Sequence, residues 1–224
     1  MIRFICSSAI RMGDEAVVSV VACRRAFVGM VWHACQRATA SSDHGATLMI
    51  KHATSSTFVF HRFVSEWRLG LVVQPRLGRH MIVGGHVEKD ETQAEAAVRE
   101  ALEESGREVR LLACPTPALP VGYPHTRVPA PWWINEIMVP ADNHLDEPHV
   151  HVDHQYVAMA HSPEPVSEPV HPFDWYGLDE LAGLDMFEDT RMLARALFPI
   201  IGSIAEAEGD AALLLRVLAS SGMG

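Results

Sequence analysis

The segment from Gly84 to Gly106 contains a helix whose two ends can be predicted from its residues. Thr92, followed three residues later by Glu95, is a capping box in which the two side chains satisfy backbone N–H groups of the first turn. Gly106 predicts the end of the helix, because glycine readily adopts the left-handed conformation that follows a last helical residue. The intervening residues therefore constrain the fold to contain a helix at this point.

The two faces of this helix differ in chemistry. Its apolar stripe faces a core and is formed by Ala94, Ala97, Val98, Ala101 and Leu102. Glu100, Glu103 and Glu104 share another face, where side chains at i, i+3 and i+4 are neighbours and like charges repel. The crowding fits either a solvated acidic face or a half-shell of carboxylates for a divalent cation such as Mg²⁺, which substrate phosphates complete.

A solvated face leaves two features of the segment unexplained, namely the glycine pair at its start and Arg99 between the apolar and acidic faces. The fixed spacing also resembles a known motif, the Nudix box G-x5-E-x7-R-E-U-x-E-E-x-G-U, where U is a bulky aliphatic residue. The residues that match its fixed positions are Gly85, Glu91, Arg99, Glu100, Glu103, Glu104 and Gly106. The U positions depart from the pattern, because Ala101 is small and Arg107 is charged, which concerns packing more than chemistry.

The resemblance extends over roughly His52 to Phe198. The run "HATSSTFVFHRFVSEWRLGLVVQPRLGRHMIVGGHVE" is similar to the strands that lead into a Nudix box, and "DWYGLDELAGLDMFEDTRMLARALF" is similar to the family's C-terminal part. This resemblance implies an α/β fold, specifically the Nudix-type α/β/α sandwich with a mixed β-sheet. Strand-like and helical segments alternate along the chain, which agrees with that fold class.

Three regions are predicted: an N-terminal extension of uncertain structure at 1–45, a Nudix hydrolase domain at 46–206, and a C-terminal helix at 207–224. The run "RATASSDHGAT" is typical of a linker. A translation start at Met49 and a small extension packed on the domain both fit the N-terminal sequence. Apolar residues also predict one long amphipathic helix near the C-terminus, marked by Leu193, Ala196, Leu197, Ile200, Ile201 and Ile204.

The resemblance implies a role for each matching residue. Glu100, Glu103 and Glu104 are expected to be the catalytic carboxylates that bind Mg²⁺ or Mn²⁺, with the carbonyl oxygen of Gly84 as a further ligand. Arg99 is expected to pair with Glu91 and fix the start of the helix against the loop, while Gly85 and Gly106 have structural roles. One helix carboxylate or the metal-bound water delivers the nucleophile, and the choice between the carboxylates stays open.

His86 follows the glycine pair and is expected either to contact a phosphate or metal, or to be a polar loop residue. Isopentenyl-diphosphate isomerases share the fold and carry a histidine at a similar place beside a catalytic cysteine. Here the neighbouring position is Gly84, which disfavours that activity.

The cluster "EPHVHVDHQY" places His149, His151 and Asp153 on one face of a predicted strand. Three interpretations stay open: a zinc-type site built on the His-x-His pair, a lining of the substrate cleft, or ordinary structure. Just before it, "PHTRVPAPWW" offers Arg127 and Trp132, with Trp133, for stacking on a base or sugar. Core packing is the alternative for the two tryptophans.

Composition limits the partners. The formal net charge of −10 argues against stable nucleic-acid or anionic-membrane binding, whereas a bound metal can still attract a phosphate substrate. The four cysteines lack zinc-ligand or paired spacing, so we expect free thiols in a reducing, cytoplasmic compartment. Arg24 and Arg25 interrupt the most apolar early run, so no membrane span is predicted. A homodimer is compatible with the sequence.

The sequence as a whole predicts a metal-dependent hydrolase that cleaves a diphosphate linkage in a nucleoside diphosphate joined to another moiety, or in a related compound. Two alternatives stay open: a hydrolase of a non-nucleotide diphosphate, and a catalytically silent Nudix domain that senses a ligand. The complete set of three glutamates disfavours the sensor, because a binding module does not need all of them. The substrate itself is determined by loops outside the motif.

Overall fold

A computed structural model describes residues 49–142, 144–207 and 210–223 of the chain. The predicted extension at 1–45 and the linker lie outside the described residues. Within the described part, no helix is both long enough and apolar enough to span a membrane.

Eight strands form one mixed sheet. They are β1 (Lys51–Arg62), β2 (Trp67–Gln74), β3 (Arg79–Met81), β4 (Val83–His86), β5 (Val109–Leu111), β6 (Trp133–Val139), β7 (His149–Ala160) and β8 (Phe173–Tyr176). The central order is β3-β2-β1-β7-β5, with β4 also paired to β1, β6 to β7 and β8 to β2. The long pairing of β1 with β7 is parallel and the other pairings are antiparallel, so the sheet is mixed as predicted.

Four α-helices and one 3₁₀ turn accompany the sheet in the described residues. They are α1 (Gln93–Ser105), the 3₁₀ turn Glu180–Gly183, α2 (Glu188–Leu197), α3 (Ile201–Glu206) and α4 (Ala211–Ser221). The capping box predicted for α1 is confirmed, since the Thr92 hydroxyl accepts from Glu95 N–H and the Glu95 carboxylate accepts from Thr92 N–H. Gly106 ends α1 with φ of 70°, in the left-handed region as predicted.

Alternation along β7 defines two faces of the sheet. Tyr156 packs with Ala97 of α1, so the even-numbered residues of β7 face α1. Val157 packs with Leu197 and Ile201, so the odd-numbered residues face α2 and α3. Helices therefore cover both faces, and the predicted α/β/α sandwich is confirmed.

The prediction of one long amphipathic helix near the C-terminus is wrong. The segment forms two helices, because Pro199 lies between them and has no N–H to donate, while its ring clashes with the preceding turn of a continuous helix. Ile200 N–H instead donates to Leu197 O at 2.9 Å, which closes a tighter turn. The apolar periodicity survives the break, since Leu197 and Ile201 contact the same core.

Helix α4 lies within the predicted C-terminal region 207–224. Asp210 caps it by accepting from the N–H groups of Ala212 and Leu213. Leu214 and Leu218 attach α4 to the core that also contains α3.

Candidate active site

The acidic face of α1 meets the sheet through β4 and the loop that joins them. Within that loop, Glu88 N–H donates to the Glu91 carboxylate at 2.9 Å. The loop therefore holds Glu91 one residue before the cap of α1, in reach of the first turns of the helix.

Arg99 connects the loop, the helix and β4. Its Nε and Nη2 donate to the two carboxylate oxygens of Glu91 at 3.0 and 2.7 Å, a bidentate pair, and its Nη2 also donates to His86 O at 3.0 Å. These bonds raise the pKa of Arg99 and lower the pKa of Glu91. The structure therefore contains the ion pair that the sequence predicts, and Arg99 also holds the backbone of β4.

The remaining nitrogen of Arg99 reaches the acidic face. Its Nη1 donates to Glu100 at 2.8 Å and to Glu103 at 3.0 Å, so one guanidinium offsets the repulsion between these carboxylates. The side chain of Glu103 is 55% exposed, against 13% for Glu100. Glu103 is therefore the carboxylate of this pair that is open to solvent.

Glu100 and Glu104 both converge on the glycine pair in the middle of β4. Gly84 N–H donates to Glu104 Oε2 at 2.9 Å. A Cβ atom at position 85 would lie 2.4 Å from Glu100 Oε1, so only glycine leaves room for this carboxylate. The two glycines therefore form a backbone cradle for the two carboxylates.

Burial changes the proton affinity of both carboxylates. It raises the pKa of Glu104 to about 7, against the opposing hydrogen bond from Gly84 N–H. Burial also raises the pKa of Glu100, although Arg99 opposes it. These two carboxyl groups are thus adjacent and partly desolvated, and a divalent cation would stabilise their charged forms.

Sequence reasoning missed His171, which lies against Glu104. Its Nε2 is 3.4 Å from Glu104 Oε1, and its Nδ1 is buried without a hydrogen-bond partner. The N–H of His171 donates to Glu104 O at 3.2 Å, so the chain between β7 and β8 covers the C-terminal end of α1. No local spacing relates His171 to the box, and only tertiary packing brings it there.

The other histidines named from the sequence gather in a second place. His86, His149 and His151, together with Asp142, each offer a donor atom, and these four atoms lie within 4.8 Å of one another. Burial and neighbouring histidines lower the pKa of His86 to about 4, and burial and His149 lower the pKa of His151. Sequence reasoning missed Asp142, whose only signal was a carboxylate a few residues before the His-x-His pair.

Comparisons with known proteins decide the family. The NUDIX domain model matches residues 43–196, which is more than half of the chain. The chain belongs to the Nudix family of hydrolases. The sequence has no match among curated proteins.

The chain is also similar to solved structures. A Nudix hydrolase of Clostridium perfringens is 22% identical with a TM-score of 0.52, over 68% of this chain and 99% of that one. The Ap4A hydrolase of Caenorhabditis elegans (C. elegans) is 14% identical with a TM-score of 0.45, over 65% and 95%. The NUDIX domain of Shewanella oneidensis NrtR, solved with ADP ribose, is 15% identical with a TM-score of 0.42, over 71% and 92%.

Both departures from the Nudix box lie at packed positions. Ala101 is fully buried and packs against the sheet with Val59, Val83 and Ala158. Arg107 is 8% exposed and lies over the ring of Phe173 at 3.8 Å, with Trp175 also near, while its Nε donates to Pro163 O at 3.0 Å. A cation stacked on aromatic rings thus occupies the place where the Nudix pattern has an aliphatic side chain.

Asp153 shares a strand face with the two histidines but is not one of the four grouped donors. It is 2% exposed, and its Oδ1 accepts from the hydroxyls of Thr54 and Ser56, both at 2.9 Å. Gln155 donates to its Oδ2 at 3.0 Å. Asp153 therefore joins β7 to β1 through a satisfied buried network.

The residues offered for base stacking lie away from the Nudix carboxylates. Arg127 lines a cavity of about 370 Å³ together with Cys114, Tyr156 and Leu214, and no glutamate of the box lines it. Trp132 donates from Nε1 to Leu112 O at 3.0 Å and packs on the main core. Trp133 meets Phe58 edge-to-face in the same core.

Proposed function

We propose that the protein is a divalent-metal-dependent pyrophosphohydrolase that cleaves a phosphoanhydride linkage in a nucleoside diphosphate joined to another moiety. The observation that carries the proposal is the convergence of Glu100 and Glu104 on the Gly84-Gly85 backbone, with Glu103 beside them on α1. Arg99 offsets the charge of Glu100 and Glu103, and a bound cation would offset the charge of Glu104 as well.

The residues present fit Mg²⁺ or Mn²⁺. Oxygen donors are what hard cations prefer, and Glu100, Glu103, Glu104 and the carbonyl oxygen of Gly84 would hold the ion. The cradle observed at Gly85 supports this set, since a side chain there would displace the Glu100 carboxylate. When bound, the ion supplies charge neutralisation for the phosphates and acidifies a coordinated water.

The protein's own side chains orient these groups. Arg99 keeps Glu91, Glu100 and Glu103 in fixed positions and ties the helix to β4, so the carboxylates are arranged before a ligand arrives. One of the three helix carboxylates takes the proton from the attacking water. Glu103 is the most open of them to an incoming substrate.

A silent ligand-sensing domain and a hydrolase of non-nucleotide diphosphates are the alternatives. The sensor needs no set of three aligned carboxylates, and the chain keeps all three in contact with Arg99 or Gly84. That observation favours hydrolysis over sensing. It does not distinguish nucleotide from non-nucleotide diphosphates as the substrate.

The test is a screen of nucleotide sugars, dinucleoside polyphosphates, nucleoside triphosphates and isoprenoid diphosphates, scored by released phosphate or monophosphate. We expect hydrolysis with Mg²⁺ or Mn²⁺, none in excess chelator, and a loss of roughly 100-fold or more in kcat for Glu103→Gln at unchanged melting temperature. Glu95→Gln is the matched control, because Gln preserves the capping box on the same helix.

Full activity in chelator, or equal kcat for Glu103→Gln and the wild type, would overturn metal-dependent hydrolysis. Tight binding of one compound in the panel without turnover would establish the sensor instead. Turnover confined to isoprenoid diphosphates would establish the non-nucleotide alternative.

A further inference from the structure

Four side chains of types that commonly bind metals converge on the sheet face opposite α1. His149 and His151 are odd-numbered residues of β7, and Tyr156, an even-numbered one, packs on α1, so the two histidines project away from the helix. His86 is paired with Thr54 of β1, whose hydroxyl bonds Asp153 on that same face. The group is therefore separate from the Nudix carboxylates, which approach Gly85 from the α1 side.

Three of the four donor atoms lie close to the spacing of metal ligands. His149 Nε2 lies 3.1 Å from His151 Nε2 and 3.5 Å from Asp142 Oδ2, and His151 Nε2 lies 3.9 Å from the same oxygen. Ligands at about 2.0–2.1 Å from a tetrahedral zinc ion are separated by about 3.4 Å. Shifts of a few tenths of an ångström would bring these three atoms to that spacing.

Surrounding backbone groups already orient two of the ligands. The carbonyl of Glu147 can only accept, so His149 Nδ1, at 2.9 Å from it, carries the proton and leaves a lone pair on Nε2, which faces the group. Asp142 Oδ1 accepts from the backbone N–H groups of His144 and Leu145 at 2.7 and 3.0 Å. Its Oδ2 is thereby directed at the histidines.

The group also contains unmet bonding capacity. His86 Nε2 is buried without a hydrogen-bond partner, and so is Nε2 of His52, whose ring centroid lies 5.5 Å from that of His86. A buried polar atom without a partner destabilises the folded state, and a coordinate bond would offset that cost. Ordinary core packing gives no reason to place such atoms around three other donors.

We propose that His86, Asp142, His149 and His151 form a binding site for one divalent transition-metal ion of the Zn²⁺ class, distinct from the Nudix metal. Three imidazoles and one carboxylate suit such an ion, whereas Mg²⁺ selects oxygen ligands. Four protein ligands fill a tetrahedral shell, so the ion has a structural role. It ties β4, the segment before β7 and β7 itself together, at the residue that follows the Gly84-Gly85 cradle.

The test measures metal content and stability of the full chain, not activity. After stripping with a strong chelator and reloading, we expect one Zn²⁺ per chain to survive dialysis against excess Mg²⁺. Co²⁺ in its place should give the intense visible absorption of tetrahedral coordination. Zn²⁺ should raise the melting temperature. Mg²⁺ at the same concentration should not produce an equal rise, because it should not occupy this site.

Asp142→Asn and His151→Gln should each weaken Zn²⁺ retention by at least 10-fold, because loss of a ligand's hydrogen-bonded partner alone costs about 10–100-fold in metal affinity. Asn keeps an oxygen that can accept from the backbone N–H groups of His144 and Leu145, so this variant should fold. His161→Gln is the matched control, because His161 is exposed just beyond the end of β7 and should leave retention unchanged.

Equal Zn²⁺ retention by wild type and both variants would place any bound zinc elsewhere and overturn the proposal. Absence of Co²⁺ absorption in the reloaded wild type would do the same. A third adverse result is binding of inorganic phosphate that His151→Gln abolishes while zinc is not retained, since that would make the group an anion site.

Discussion

The carboxylate group on α1 and the histidine group on β4 and β7 lie on opposite faces of one sheet, and they are assembled differently. The carboxylates occupy successive turns of one helix, so their mutual positions follow from its 3.6-residue repeat. The histidine group draws its members from β4, from the segment before β7 and from β7. Local spacing thus organises the first group, and strand pairing organises the second.

The strand that unites the histidine group is β1. Its Thr54 pairs with His86 across the antiparallel β1–β4 ladder, and its His52 pairs with His151 across the parallel β1–β7 ladder. Residues separated by some sixty positions therefore become neighbours only once this register is set. A change that slipped either ladder by one residue would send a histidine to the opposite face.

Arg99 touches both regions, and its removal should have the largest effect. Arg99→Met leaves the Glu91 and Glu100 carboxylates, 14% and 13% exposed, without their cation. We expect the free energy of unfolding to fall by about 2–4 kcal/mol and hydrolysis to slow at least 10-fold. Denaturant titration and steady-state kinetics measure the two effects.

The matched control is Arg68→Met. Arg68 pairs with Glu66 and Glu180 at a more exposed position, so its loss should lower the free energy of unfolding much less than the loss of Arg99 does. If the two regions are separate, Arg99→Met should still retain zinc, because Asp142, His149 and His151 have other supports. Zinc loss as severe as that of His151→Gln would instead show that the regions form a single unit.

The two regions should also respond oppositely to pH in metal-free protein. The folded-state pKa of Glu104, about 7, lies above its ordinary value of 4.5. The contribution of Glu104 to stability therefore falls as the pH rises from 4.5 to about 7. The folded-state pKa of His86, about 4, lies below 6.5, so its contribution falls as pH drops from 6.5 towards 4. Each effect amounts to a few kcal/mol at most.

Chelator-treated variants separate the two contributions. Relative to wild type, Glu104→Gln should gain unfolding free energy between pH 5 and pH 8, because Gln can still accept from Gly84 N–H without carrying the charge. As the pH falls from 8 to 4.5, His86→Gln should gain unfolding free energy relative to wild type. Parallel stability curves for wild type and either variant would mean that the residue does not titrate as its burial indicates.

The sequence predicted the α1 side of the molecule better than the opposite side. Thr92, Glu95 and Gly106 determine the ends of α1 through bonds between near neighbours, and such bonds can be identified from spacing alone. Asp142 and His171 could not be found that way, because their partners are brought to them by strand pairing and by loop packing. The missed break at Pro199 had a local cause and was within reach of sequence reasoning.

Arg107 is one of the two positions at which the α1 side departs from its motif, and we expect the smallest effect there. Arg107→Leu restores the aliphatic residue of the Nudix pattern but loses the stacking on Phe173 and the bond to Pro163 O. Burial lowers the pKa of Arg107, so the cation itself carries a desolvation cost that Leu avoids. The opposing terms should leave a net loss of about 1 kcal/mol in unfolding free energy, with kcat unchanged.

Phe173→Leu in the wild type and in Arg107→Leu completes a double-mutant cycle for this contact. A coupling energy of about 1 kcal/mol would show that the aromatic ring is what makes a buried arginine acceptable at this position. A stability gain for Arg107→Leu with no coupling to Phe173 would mean that the arginine is tolerated rather than stabilising. The local sequence pattern would then be the better guide to packing here, as it was for the ends of α1.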